Sequence, residues 1–431
     1  MKRQCESWMR TGVAMALAIS GSACGGMAIQ SSGADAQTRR SPGPYVEVAR
    51  GHYLVRAGDC KSCHTARGGT PWAGGRAIPT PFGVIYSTNI TPDPATGIGD
   101  WSFEDFYRSM HDGVARDGHH LYPAFPYPWF TRLSRSDVHA IKVYLDTLTP
   151  VRQRDVPNEL PWPFSMRGVM AVWNKLYFDA STYQPDPKRS AQWNRGAYLV
   201  RGAGHCGACH GDKNFAGATD MEHPFQGGMA EHVYAPDLTG SKRTGLGGWS
   251  VADIVEYLGT GSNRITSAAG PMAEVVRMST QYLSADDRRA IAVYLKSLPA
   301  AHVREHDAQD KNNIDNTVMR AGKAVYVDDC QGCHMDGGNG IPGVFPPLHD
   351  SSAIVVDKPQ TLIQAVLEGA QIPPTRVKPT GLRMPAFDRK LSNAEIADVL
   401  TFIRNSWGNH AGAVSEDAVG HLRGTLGGSP Q

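Results

Sequence analysis

Surplus charge of either sign is missing. The 43 Lys and Arg stand against 41 Asp and Glu, a formal net charge of +2, so the sequence has no basic footprint for nucleic acid and that partner class is excluded. Beyond the first 36 residues no stretch of 18 consecutive apolar residues occurs, so a later spanning helix is excluded. A dinucleotide loop is also missing: Gly245-Leu-Gly-Gly248 lacks a strand–turn–helix context and reads as a turn. The chain shows no substrate-oxidising machinery of its own. Cysteine is sparse, at 8 of 431 residues. Gly and Pro are not, at 76 of 431 residues, about 18% against a usual combined share of about 12%. Apolar and charged fractions of 41% and 19% exclude a disordered or collagen-like chain. The length suggests about three domains of roughly 150 residues. A loop-rich chain of this kind needs something besides a large core to hold it together.

Residues 1–36 read as a secretory signal. Lys2, Arg3 and Arg10 open it, Val13 to Ile29 is apolar and small, and Ala34-Asp35-Ala36 fits a small-x-small cleavage site. Cleavage there removes Cys5 and Cys24. The alternatives are a lipidated Cys24 and an uncleaved anchor, but Gly21 stands where lipoprotein signals carry Leu, and the apolar run is short. The mature chain is therefore expected outside the cytoplasm.

The six remaining cysteines fall into one pattern used three times: Cys60-Lys-Ser-Cys63-His64, Cys206-Gly-Ala-Cys209-His210 and Cys330-Gln-Gly-Cys333-His334. A Cys pair two residues apart also suits a redox disulfide or half a zinc site. The histidine separates these readings. With 16 His in 431 residues, its chance occurrence after all three pairs is on the order of 1 in 20,000, and C-x-x-C-H is the attachment motif of c-type haem. The thiols form thioethers to the haem and the His is the proximal iron ligand. Zinc would require further ligands, and no spare Cys exists.

The repeat extends past the motif. Each copy is preceded by a short helix with an early glycine (Gly51, Gly196, Gly322). Trp101 to Gly113 matches Trp249 to Gly261 without a gap, and Leu362 to Gly369 matches the latter part of both. Each copy closes with an apolar-periodic helix opened by Ser134, Ser284 or Ser392, with an acid in its first turn. Tyr144, Tyr294 and Phe402 stand near the ends of these helices. The glycine and aromatic positions resemble the crossing of first and last helices in small c-type cytochromes. A covalent haem gives each copy a large apolar surface to bury.

A Met thioether is the usual sixth ligand and raises the potential. Met384, in Arg383-Met-Pro-Ala-Phe387, and Met272, in Gly270-Pro-Met272, are the candidates in the third and second copies, with Met278 as a fallback. The first copy departs from the pattern: Tyr122-Pro-Ala-Phe125-Pro-Tyr127 carries Phe where a ligand is expected. Met110 aligns with Leu258 and reads as core, and His111 aligns with Gly259 and reads as surface. His119 and His120 lie close enough to swing in, with His120 ahead. The other reading is a five-coordinate iron with both His solvated.

At this point the sequence resembles the triheme cytochrome c subunits of bacterial membrane-bound dehydrogenases. The resemblance covers nearly all of the mature chain. It rests on the three haem motifs and on Ser87-Thr-Asn-Ile-Thr-Pro-Asp93, Leu121-Tyr-Pro-Ala, Trp193-Asn-Arg-Gly-Ala-Tyr-Leu-Val, Gly270-Pro-Met-Ala-Glu274, Met384-Pro-Ala-Phe and Trp407-Gly-Asn. It implies an all-α fold of three tandem class I cytochrome c domains, three covalent haem c groups, a catalytic dehydrogenase subunit holding a quinone, flavin or molybdenum cofactor, and onward transfer to ubiquinone or a terminal oxidase at the periplasmic face of the membrane. Family members usually carry Met where Phe125 stands, so a distal ligand for the first haem does not carry over. The alternatives are a haem enzyme with an open first haem and a free-standing soluble carrier.

The expected organisation is a signal at 1–36, domains at 45–150, 191–300 and 317–407, linkers at 151–190 and 301–316, and a tail at 408–431. The first linker is Pro-rich, and Phe164 to Phe178 in it has a helical pattern. Met166, Val169, Met170, Trp173, Leu176 and Tyr177 share one face, which suits either packing between domains or an interfacial or partner contact. The tail has no apolar anchor, so any membrane association is expected to be peripheral or through partners. The mature chain carries 40 basic and 39 acidic residues, and about six haem propionates make the holoprotein net acidic.

Overall fold

The computed structural model describes residues 43–301 and 314–427. The expected signal, and all but the ends of the expected linker at 301–316, lie outside the described residues. Three helix pairs organise the rest. Pro44–Ala57 crosses Arg135–Leu145, Ala191–Tyr198 crosses Ala285–Lys296, and Asn316–Asp329 crosses Asn393–Ile403. At each crossing a glycine meets backbone. A Cβ on Gly51 would lie 1.9 Å from the Ala140 carbonyl oxygen, on Gly196 2.0 Å from that of Ala290, and on Gly322 2.1 Å from that of Asp398. Tyr144, Tyr294 and Phe402 put their Cβ atoms 2.8–2.9 Å from the same three points. Ser134, Ser284 and Ser392 cap the second helix of each pair by accepting the N–H of Asp137, Asp287 and Glu395. The matched helices Phe103–Asp112 and Val251–Thr260 both open in a Ser–Asp capping box and both stop at a left-handed glycine, Gly113 and Gly261.

The fold is largely helical, but the all-α expectation needs correction. Short antiparallel hairpins occur at Ala77–Thr80 with Gly83–Tyr86, Gly228–Ala230 with Val233–Ala235, and Ala370–Gln371 with Arg383–Met384. In the first, Gly83 has φ 123° and a Cβ there would lie 2.3 Å from the Glu159 carbonyl oxygen. The linker chain pairs onto this hairpin through Val84 and Glu159, and only glycine permits that approach.

The first two helix pairs share one hydrophobic core, in which Leu54, Phe106, Trp129, Leu133, Leu199, Val200, Ile254 and Leu295 are buried together. Residues of the third pair form a separate core around Tyr326, Ile363, Ile396 and Leu400. The contacts between the first two pairs are reciprocal. The Tyr53 hydroxyl donates to Asp287 Oδ2 (2.5 Å) and accepts the Ser284 N–H. The Tyr198 hydroxyl donates to Asp137 Oδ2 and accepts the Ser134 N–H. Each tyrosine thus caps the closing helix of the other pair. Arg50 pairs with Asp137 (2.6 Å), and Arg195 holds Asp287 in a two-pronged contact of 2.7 and 2.8 Å. Burial raises the Asp287 carboxyl pKa, but hydrogen bonds from Arg195 and Tyr53 more than offset that and hold it below the usual range.

The linker helix Arg167–Tyr177 lies over the Tyr122–Tyr127 segment. Its inner side buries Met170 and Trp173 against Tyr122, Tyr127 and Ala218. The single apolar face expected for it splits in two, because Met166, Val169 and Leu176, joined by Val172, point outward. Trp162 (79% exposed), Phe164 and Phe215 (89% exposed) are exposed as well. The Phe164 ring packs 4.9 Å from Phe82. Phe215 lies beside Ala216, whose carbonyl accepts the Trp173 indole N–H. The expected tail also needs correction: Glu416–Gly427 is a helix that buries Val419 and Leu422 in the third core.

Gly51→Ala, Gly196→Ala or Gly322→Ala is expected to force a helix pair apart, at a cost of about 3 kcal/mol. Denaturant unfolding of the haem-loaded variants measures this, and a loss within error of zero at any of the three sites refutes the close crossing there.

Candidate functional site

Each Cys-x-x-Cys-His segment is one turn of helix or its edge, placed at the end of an opening helix. The geometry around the histidine is the same three times. Nδ1 of His64 lies 2.7 Å from the Thr88 carbonyl oxygen, that of His210 2.7 Å from Pro236 O, and that of His334 3.0 Å from Pro346 O. A carbonyl only accepts, so Nδ1 carries the proton and Nε2 keeps its lone pair for a metal. Burial lowers the pKa of all three imidazoles, which favours this neutral form.

The thiols are unpaired. Burial pushes those of Cys60 and Cys206 up to about 12 and that of Cys330 up to about 11. A redox dithiol needs a lowered thiol pKa, so that reading does not suit these pairs. Among the described residues no group of three or more His, Cys, Asp or Glu side chains is placed to hold a metal ion, which leaves zinc without its ligand set. Two unpaired thiols beside a histidine with a free Nε2 are the donor set for covalent haem c.

Met272 sits at the start of the helix Gly270–Met278, half-buried against the shared core that also contains Cys206. Met384 is half-buried in the short strand Arg383–Met384, packed on the third core with Cys330. The fallback Met278 lies at the other end of the Met272 helix, and its carbonyl accepts from Arg56.

In the first copy, the Phe125 ring packs 5.4 Å from Phe130 and contacts both the shared core and the linker-helix cluster. Met110 is buried. His111 is half-buried, stacked on Tyr107 and bonded to Asp112. His119 pairs with Asp117 at 2.6 Å. His120 is held from the linker: the Tyr127 hydroxyl donates to Asn174 Oδ1 (2.5 Å), so Asn174 Nδ2 donates to His120 Nδ1 (3.1 Å). That leaves the His120 proton on Nε2, a placement that does not suit an iron ligand.

The attachment segments of the first two copies are walled by each other's distal segments. Gly207 packs on Trp129, where a Cβ would lie 2.2 Å from the indole ring, and His205 lies edge-on to Phe130. In return, Arg76 bonds the Ser62 carbonyl and Glu274 of the Met272 helix, each at 2.9 Å, and Ser279 Oγ donates to the Ala57 carbonyl. His205 Nε2 donates to Gly58 O at 3.3 Å, linking the residues that lead into the two motifs.

The family model for cytochrome c matches residues 319–407. The chain is 40% identical over 393 residues to the gluconate 2-dehydrogenase cytochrome c subunit of Pantoea cypripedii, covering 87% of this chain and 89% of that one. It is 40% identical over 394 residues to the cytochrome c subunit of alcohol dehydrogenase (quinone) of Gluconobacter oxydans, covering 88% and 82%. The chain belongs to the family of dehydrogenase cytochrome c subunits. A third relative is the fructose dehydrogenase cytochrome subunit of Gluconobacter japonicus, 35% identical over 405 residues, or 87% of this chain and 82% of that one. The cytochrome subunit thus holds covalent haem c in a cytochrome c domain that includes Cys330, Cys333 and His334.

Sequence reasoning missed the reciprocal tyrosines, the Arg76–Glu274 bridge and the wall made by Trp129. A signal for the tyrosines existed. Arg-Gly-x-Tyr precedes the first two motifs, and Ser-x-x-Asp opens the two matching helices. The third copy has Ala321, Gly322 and Ala324, then Ser392 and Glu395.

Proposed function

We propose that this chain is the triheme electron-transfer subunit of a periplasmic dehydrogenase complex, with tandem cytochrome c domains at 45–150, 191–300 and 317–407. The observation that carries the reading is the threefold recurrence of a Cys pair followed by a histidine whose Nδ1 is tied to a backbone carbonyl. When bound, haem c supplies a one-electron ferric/ferrous couple. Cys60 and Cys63, Cys206 and Cys209, and Cys330 and Cys333 would hold the three groups by thioether bonds. His64, His210 and His334 would be the proximal ligands, and Met272 and Met384 the distal ligands that keep the second and third potentials high. The first iron has no Met partner, and the engagement of His120 with Asn174 supports an open axial position there. A second reading, a haem enzyme working on a small ligand at that position, rests on Phe125 and on that engagement of His120.

The relatives' names support a catalytic dehydrogenase partner as electron donor; ubiquinone or a terminal oxidase would be the acceptor. No helix among the described residues is long and apolar enough to cross a membrane. The exposed apolar side chains Trp162, Phe164, Met166, Val169, Val172 and Leu176 of the linker, with Phe215, support peripheral attachment, because exposed apolar surface of this size marks interaction sites.

Three expected outcomes test this reading. Pyridine haemochrome assay of the purified complex gives three haems per chain, and an alcohol, sugar, sugar acid, aldehyde or N-heterocycle reduces them; full haem loading with no reduction by any of these leaves the carrier reading in its place. Carbon monoxide binds one ferrous haem in three, and His120→Ala leaves the visible spectrum unchanged; a spectral shift in that variant identifies His120 as a ligand after all. Trp162→Ser combined with Phe215→Ser moves the subunit from the membrane pellet to the supernatant, each aromatic contributing about 2 kcal/mol of apolar burial; unchanged sedimentation rejects this surface.

A further inference from the structure

The reciprocity of the first two copies leads beyond a relay of three equivalent domains. Four kinds of contact repeat about a local two-fold relation. Tyr53 caps the helix opened by Ser284, and Tyr198 caps the helix opened by Ser134. Each tyrosine donates to the aspartate that follows the capping serine of the other copy's closing helix, and each aspartate is held by the arginine just ahead of its own copy's crossing glycine. The distal segment of the first copy, through Trp129 and Phe130, covers Gly207 and His205; that of the second, through Glu274 and Ser279, covers the segment from Ala57 to Ser62. Finally, the buried apolar residues of both copies form one core. This is the arrangement of an isologous dimer, in which one patch meets its own copy, built here within one chain.

The third copy has none of this. Ala321 and Ala324 replace the arginine and tyrosine, and Glu395 turns back to its own Ser392 in a capping box. It meets the second copy through unrelated contacts. Thr361 exchanges hydrogen bonds with the Tyr234 backbone, Pro373 packs on Gly261, and Lys378 Nζ bonds Ser262 Oγ.

We propose that the first two haem sites form one electron-exchange pair whose geometry is set by the Tyr53–Asp287 and Tyr198–Asp137 contacts, with the third site attached as a separate module. This rests on the triheme reading above. The exchange moves one electron from a ferrous to a ferric iron, with no bond made and no proton transferred. Tyr53, Tyr198, Asp137 and Asp287 are positioning residues: the tyrosines lie on the opening helices that precede the two attachment segments, the aspartates lie on the closing helices of the other copy, and their contacts fix the two segments against each other. Loss of the hydroxyls leaves two buried carboxylates short of a donor and frees the two copies to shift against each other.

The test is Soret-region circular dichroism of the haem-loaded subunit, since closely spaced haems in fixed orientation give a bisignate couplet. Haemochrome assay comes first; fewer than three haems in the wild-type chain refutes the triheme reading itself. With three haems present, the wild type should show the couplet, and Tyr53→Phe/Tyr198→Phe should reduce its amplitude by about twofold or more with haem content and absorption maxima unchanged. Tyr326→Phe, which removes a tyrosine hydroxyl of the third copy's opening helix from its bond to Met335 O, should leave the couplet intact. If the double variant fails to load haem, Tyr53→Phe alone reports the same change. A fully loaded wild type without a couplet, or a couplet that persists in the tyrosine variants, overturns the proposal.

Discussion

The contact on which the rest depends is the close approach of two helix backbones at a glycine. Gly51, Gly196 and Gly322 each face a carbonyl oxygen at a distance no side chain permits. That approach fixes where the opening helix ends, and the Cys-x-x-Cys-His turn follows at its end. Positions of thiols and imidazole are thus inherited from a backbone contact about two turns upstream. The aromatic beside each glycine fills the flank of the crossing, so the site is built on a rigid element and not on a loop. Loops supply the other half. Thr88, Pro236 and Pro346 present their carbonyls to the histidines from segments with no regular structure, and the abundance of Gly and Pro suits such segments.

How far the sequence could be read follows from which forces are local. The haem motif, the Ser caps and the Gly–aromatic crossing are written within a few residues of each other and repeat, so each copy corroborates the others. The hairpins were hidden because their strands run only two to four residues, too short to show an alternating pattern, and the first is braced by Glu159 of the linker, 73 residues beyond Tyr86. The linker helix was legible as a helix, but not which side of it packs: Met170 and Trp173 go inward because Tyr122, Tyr127 and Ala218 lie there, and no spacing rule encodes that. The helix Glu416–Gly427 was missed because its apolar residues, Val419 and Leu422, are too few to read as an amphipathic stripe.

His120 illustrates the same limit at the site itself. From sequence, a histidine near the expected ligand position is a reasonable candidate for iron. The structure commits its Nδ1 to Asn174, a residue of the linker helix, through a chain that begins at the fully buried Tyr127. The linker therefore covers the segment where the first copy lacks a Met and also fixes the imidazole that could have replaced it.

The three sequence repeats are alike in their Cys-x-x-Cys-His segments and differ in the residues through which they meet. Retaining Arg-Gly-x-Tyr in two copies and Ala-Gly-x-Ala in the third makes the first two mutually dependent and leaves the third with its own core. Gly207 shows the cost of that dependence. Inside the second Cys-x-x-Cys-His segment it must have no side chain, because Trp129 of the first copy and the Pro224 carbonyl oxygen of its own copy occupy the space. The first motif has Lys61 at that position and the third Gln331, so the constraint comes from what surrounds this segment, Trp129 of the first copy among it, and not from the motif itself. The asymmetry of the chain, two sites sharing a core and one standing apart, is therefore set by side chains at the opening helices and not by the haem motifs, which are alike.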